Sequence, residues 1–134
     1  MIHIKRFPYI KINLEPGIYR FSNYSATGKT YLGYLIKEYQ SVGENLAVYS
    51  YGDHIRNKSI DSVISPNDKV LLLDRYDKYS REEDDKIITA FVASGGIVLI
   101  DCKQVENIYS DYEFCDIALL KEGIEVTLWS MYLK

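Results

Sequence analysis

The sequence predicts a three-layer α/β domain, a mainly parallel sheet of about five strands with helices on its faces and antiparallel pieces at both ends. Three observations lead there. Residues 69–74 (KVLLLD) and 97–102 (IVLIDC) are aliphatic runs that end in polar residues, which is how strands buried on both faces read. Apolar residues before and between them recur at helical spacing. The two kinds of segment alternate along the chain, and the segments at either end alternate apolar with polar residues instead.

Taken in order, residues 2–6 (IHIKR) and 9–14 (YIKINL) have the period of half-exposed strands, joined tightly through Phe7-Pro8. Glu15-Pro16-Gly17 is a turn signal, and residues 18–21 (IYRF) read as a further short strand. Leu32, Leu35, Ile36 and Tyr39 then fall at i, i+3, i+4 and i+7 of an amphipathic helix, with Gly43 placed to stop it. Residues 46–51 (LAVYSY) suggest a core strand. The polar stretch 52–65 holds a short helix around residues 60–64, and Pro66-Asn67-Asp68 turns the chain into the strand at 69–74. Ser80-Arg81-Glu82-Glu83 reads as a capping box with Ser80 at the cap, ahead of a helix lined by Ile87, Ile88, Phe91 and Val92. Asp84 and Asp85 add favourable negative charge to its first turn, and Gly95-Gly96 ends it. Residues 116–120 and 124–129 look like two strands joined in a hairpin by Lys121-Glu122-Gly123. No internal repeat interrupts this pattern, so residues 1–134 are expected to form one domain.

Composition narrows the function classes. With 47% hydrophobic and 26% charged residues the chain reads as an ordinary soluble domain, and no apolar run approaches the ~18 residues that cross a bilayer. The first residues, MIHIKRFPYIKIN, lack the continuous apolar core of a signal peptide, so a cytoplasmic location with no membrane partner is expected. A net charge of −3 argues against nonspecific coating of nucleic acid. Lys5, Arg6, Lys11 and Arg20 are the local basic patch that leaves nucleic acid open, an ordinary soluble face being the preferred reading. Cys102, Cys115, His3 and His54 lack metal-ligand spacing; the cysteines are expected to be buried, unreactive thiols.

The stretch that carries chemistry is residues 23–30, NYSATGKT. It matches the phosphate-binding pattern G-x-x-x-x-G-K-[ST] except that Asn23 replaces the first glycine. Gly-Lys-[Ser/Thr] alone arises by accident in roughly one chain in fifteen of this length, so the context matters. Here a strand precedes it, a helix follows it, and an aliphatic strand ending in Asp74 lies downstream. Successive backbone amides opening a helix make a concave anion site. Asn23, Tyr24, Ser25, Ala26, Thr27, Gly28, Lys29 and Thr30 would form it, Lys29 reaching the terminal phosphates. The Thr30 hydroxyl would hold magnesium, with Asp74 bound to it through water. Asparagine tolerates the positive φ that the first glycine serves.

These residues, with LLLD at 71–74 and IVLID at 97–101, resemble the P-loop NTPases over most of the chain. One strand between the loop strand and the acidic strand is similar to the division that includes ABC-type, SMC-type and RecA-type ATPases. The opening 29 or so residues and the closing CDIALLKEGIEVTLW are similar to the terminal pieces of the ABC and SMC branch. The resemblance implies a three-layer α/β/α P-loop NTPase fold, ATP or another NTP as ligand, and magnesium as its ion. It implies phosphate and magnesium binding by Gly28, Lys29 and Thr30, and a metal-site role for Asp74. The chain departs from that branch in three ways. Arg75 stands where a water-polarising glutamate usually follows Asp74, no LSGG-like signature occurs, and Asp101-Cys102-Lys103 stand where a histidine is common.

The expected function is therefore nucleotide binding, with slow or partner-stimulated ATP hydrolysis as its catalytic extension and a protein partner or a second copy to complete the site. Lys29 and Asp77 are the catalytic candidates, Asp77 as a substitute base that also reads as a solvated loop acid. Arg75 is expected to pair with the acids of residues 82–85, and Asp101 to sit at a ligand-facing strand end as a sensor. Tyr24 is a candidate for base stacking. Tyr31, Tyr34, Tyr76, Tyr79, Tyr109 and Tyr112 are either a partner face or scattered surface aromatics. Two alternatives stay open: a non-catalytic interaction module with a degenerate NTPase fold, and a small-molecule kinase whose lid would draw on Arg56 and Lys58.

Overall fold

The computed structural model describes residues 2–5, 8–22, 29–40, 44–103, 108 and 110–129. Strands β1 (Ile2–Ile4), β2 (Tyr9–Asn13) and β3 (Gly17–Phe21) come first, then helix α1 (Lys29–Gln40). Strand β4 (Leu46–Tyr49), the short helix α2 (Tyr51–Ile55) and strand β5 (Val70–Leu73) follow. Helix α3 (Asp85–Ala93), strand β6 (Ile97–Ile100) and the hairpin β7 (Glu113–Leu120) and β8 (Gly123–Leu128) complete the order. Single 3-10 turns span Ile60–Val63, Tyr76–Lys78 and Glu82–Asp84. Residues 6, 7, 41–43 and 109 lie outside the described residues, so the Phe7 connection, the Gly43 stop and Tyr109 do too.

All eight strands form one sheet in the order β1-β2-β8-β7-β3-β6-β5-β4. The run β7-β3-β6-β5-β4 is parallel throughout, which accounts for the five-strand expectation. The ends differ from it. The N-terminal pair and the C-terminal hairpin do not stay separate: β2 joins β8 in parallel, from Tyr9↔Gly123 to Asn13↔Thr127, so both extend a single sheet. Strand β7 begins at Glu113, before the expected residue 116, because it runs beside β3 from Tyr19↔Glu113 to Phe21↔Cys115.

Strand alternation sends neighbouring side chains to opposite faces, so a strand made wholly of aliphatics serves two cores. On one face Leu32, Leu35, Ile36 and Tyr39 of α1 pack with Val48, Val70, Leu72, Ile97 and Leu99. On the other, Ile88 and Phe91 of α3 and Ile60 pack with Ala47, Leu71, Leu73, Val98 and Ile100. Each such aliphatic side chain contributes about 1.5–3 kcal/mol on burial, which is what holds helices against both faces. The first core continues under the other half of the sheet through Ile10, Ile12, Ile117, Ile124 and Val126, the buried phase of the alternating strands.

Register then creates the functional edge. Arg20 of β3 aligns with Ile100 of β6, Ile100 with Leu73 of β5, and Leu73 with Tyr49 of β4. Four parallel strands thus end level, and the residues just beyond them, Asp101, Asp74 and Ser50 among them, share one rim.

Two local expectations are corrected. Ser80 caps nothing: Arg81 grips Asp84 through Nη2–Oδ1 at 3.1 Å and Nε–Oδ2 at 3.2 Å, which buries Asp84 and draws Glu82–Asp84 into a 3-10 turn. Helix α3 accordingly starts at Asp85 without a side-chain cap. The capping box is at Ser50 instead, where Asp53 N donates to Ser50 Oγ at 3.2 Å and Ser50 N donates to Asp53 Oδ2 at 2.9 Å. That box ends β4 at Tyr49, short of residue 51, and opens α2. Ser50→Ala should therefore cost about 1 kcal/mol, lowering the melting temperature by about 4 °C, while Ser80→Ala leaves it unchanged. Thermal unfolding followed by circular dichroism checks the pair, and equal shifts would contradict this assignment.

Candidate functional site

At the rim, four charged side chains stand in a row. Lys29 opens α1 and sets its Nζ 3.4 Å from Asp101 Oδ1. Asp101 is hydrogen-bonded side chain to side chain with Asp74, and Arg75 Nε lies 3.6 Å from Asp74 Oδ2. The order is thus cation, acid, acid, cation. Burial, and after it the charge of Asp101, hold the Asp74 carboxyl above the usual carboxylate range, Arg75 opposing them. Two carboxyls in hydrogen-bond contact need a proton or a cation between them.

Backbone bonds continue past the strand ends and lock the acids in place. Asp74 N donates to Tyr49 O and Asp101 N to Leu73 O, both at 3.0 Å, and Tyr76 N donates to Asp101 O at 2.8 Å. Two side chains anchor the turns themselves. The buried Tyr79 hydroxyl donates to Asp74 O at 2.7 Å and to Tyr49 O at 3.1 Å, and burial pushes its ionisation far upward, so it stays a neutral donor. Arg20, also buried, donates from Nε and Nη2 to Cys102 O at 3.2 and 3.0 Å, and its guanidinium stacks 5.5 Å from the Phe114 ring centroid. Neither anchor was read from the sequence; the available signal was an arginine in the inward phase of the short strand IYRF.

Arg75 does not pair with the acids of residues 82–85. It adopts a left-handed backbone conformation, φ 50° and ψ 48°, which turns it back over Asp74 and lays its guanidinium 5.5 Å from the Tyr51 ring centroid. Arg81 takes the acids instead, meeting Glu83 at 3.4 Å as well as Asp84. Tyr51, His54 and Tyr79 stack in sequence behind Arg75, with centroids 6.2 and 5.6 Å apart.

Several other expectations find their places. Asp77 lies in the 3-10 turn after Asp74 and lines a separate depression of about 80 Å³ with Arg75, Lys78, Asp101, Cys102 and Lys103. Thr30 is the second residue of α1. Residues 23–28, Tyr24 among them, lie outside the described residues, as does the side chain of Thr30. Of the basic patch, Arg20 is buried and Lys11 pairs with Glu125 at 3.5 Å, while Arg6 lies outside the described residues. A six-tyrosine face does not form, since Tyr76 and Tyr79 are core residues. Arg56 and Lys58 turn to Asp53, at 3.8 and 4.0 Å. Cys102 and Cys115 are buried free thiols, and burial pushes that of Cys115 upward. Among the described residues no helix is long and apolar enough to cross a membrane. No set of three or more His, Cys, Asp or Glu side chains among them is grouped to hold a metal.

A scan against protein-family models and searches of curated proteins and of solved structures returned no match for this chain.

Proposed function

We propose that this chain binds a nucleoside triphosphate with magnesium, ATP being the expected nucleotide, on a three-layer α/β/α P-loop NTPase fold. The observation that carries the reading is the convergence of Lys29, Asp101 and Asp74 on one rim, with β6 between the loop strand β3 and the acid-bearing strand β5. Ligands of open parallel sheets bind beyond the carboxyl ends of the strands. In this reading Lys29 exchanges the single carboxylate of Asp101 for the more highly charged terminal phosphates, and the N-terminus of α1 adds its dipole.

The donor set suits magnesium. That ion is commonly held by one or two carboxylates and completed by phosphate and water, so a pair of acids is enough. Asp74 and the Thr30 hydroxyl would hold it, and it would neutralise phosphate charge. Turnover by the chain alone should be slow, because Arg75 stands where a water-polarising carboxylate would follow Asp74. A protein partner or second copy would then supply the stimulation. The internal pairing of all four rim charges favours one second reading, a module that keeps the fold and binds no nucleotide.

Calorimetry with ATP and magnesium separates the two. Micromolar binding is expected, weakened about 10- to 100-fold in Lys29→Ala, the worth of a charge-assisted phosphate contact. A folded protein that takes up no ATP at millimolar concentration would leave only the module.

A further inference from the structure

We propose that the cavity between α1 and the ends of β4 and β5 is a second-ligand site, taking a small organic carboxylate with a compact apolar body beside the nucleotide. What lies beside it rests on the nucleotide reading; the cavity itself does not. Its volume is about 230 Å³, below the ~300 Å³ at which sites for drug-sized molecules begin, so the ligand is compact. Gly33, Tyr34 and Lys37 on one flank of α1 face Val48 and Ser50 across it, and Lys29 and Asp74 close one end.

The sheet order sets its place. From β3 outward the strands run β3, β6, β5, β4, so the cavity, at the ends of β4 and β5, lies on the side of Asp74 away from β3. A triphosphate held at Lys29, with its magnesium at Asp74, would border the cavity at that end and leave the Lys37 end open. Its chemistry follows from its walls. Val48 and the Gly33 Cα methylene are apolar, and Tyr34 is 63% exposed. The Ser50 hydroxyl is committed to Asp53, donating to Oδ2 at 3.0 Å and accepting from N at 3.2 Å. Lys37 has no ion-pair partner among the described residues, whereas Lys29 has Asp101. Lys37 is thus the charge at the cavity left without an ion-pair partner among the described residues, and a ligand that reaches it gains from one negative charge. Asp74 repels that charge from the other end, so the carboxylate lies at Lys37 and the apolar body extends toward Lys29, about 12 Å of helix away.

Saturation-transfer NMR with benzoate and hexanoate, against neutral benzyl alcohol, tests the site with and without ATP and magnesium. At least one acid should bind and benzyl alcohol should not. Lys37→Ala should weaken the acid at least tenfold. Gly33→Ala, whose new methyl would meet Leu72 Cδ2 at 3.4 Å and so keeps the fold, should weaken it by narrowing the wall. Both variants should hold ATP within twofold of the parent. Acid binding indifferent to Lys37, benzyl alcohol binding equal to benzoate, or no binding of either acid would overturn the site. Acid binding that needs Lys37 in a protein that ignores ATP would sink the nucleotide reading and keep this one; ATP binding without acid binding does the reverse.

Discussion

Gly123→Ala is expected to tear the N-terminal strands from the sheet and to lower stability by about 3 kcal/mol or more. Gly123 is the first residue of β8 and faces Tyr9 in the parallel β2–β8 ladder. A β-carbon there would lie 2.2 Å from Tyr9 O and 2.6 Å from Tyr9 N, and both are backbone atoms that no rotamer change can move. The ladder is anchored at that point by Tyr9 N donating to Glu122 O at 2.9 Å, so the collision falls where the strands are tied. Ile10 and Ile12 would then lose their burial with β8. Gly95→Ala is the informative control. Gly95 has φ +96° with nothing within 4 Å of a β-carbon, so it pays only conformational strain, about 1 kcal/mol. Urea unfolding of both variants reads the difference, and a Gly123→Ala midpoint close to that of the parent would refute the close approach.

Asp74→Asn should move stability and binding in opposite directions. In the free protein it removes one of two carboxyls in contact, and the amide can still hydrogen-bond Asp101. The sign with pH follows from the raised pKa. Asp74's contribution to stability is present in full below the ordinary value of 3.8 and is lost as pH rises through its higher folded value. The asparagine variant escapes that loss, so its advantage should be absent at low pH and appear toward neutrality. The gain should be small, because the side chain is 35% exposed and water screens the repulsion. Magnesium-dependent ATP affinity should fall by about 10-fold or more, since a neutral amide is a poor ligand for a hard dication. Thermal melts in chelator and calorimetry with and without magnesium measure the two effects. A variant that is less stable at neutral pH yet binds ATP and magnesium normally would show Asp74 to be structural.

Much of the fold was legible because its signals are local. VLLL and IVLI announce strands buried on both faces, the i, i+3, i+4, i+7 stripe announces α1, and the position of Asp74 at a strand end follows from counting residues. The errors share one cause, competition among groups that local propensity cannot rank. Ser80 had the spacing of a cap, but Arg81 took Asp84 and left the serine no role. Gly123 read as a turn residue, yet its φ is not positive; the turn is Lys121-Glu122, and glycine is required by a strand from the other end of the chain.

The sequence by itself determined which segments are strands and helices, which faces are apolar, and that Lys29 and Asp74 stand at element ends, because hydrophobic periodicity and chain punctuation act within a few residues. Only the tertiary structure decided that Asp101 lies between Lys29 and Asp74, that Arg75 turns back over Tyr51, that Arg20 is an internal anchor rather than a surface cation, and that β2 closes on β8. Each of those depends on register and on charges brought together across dozens of residues, where pairing is chosen by the packed sheet and no local pattern records it.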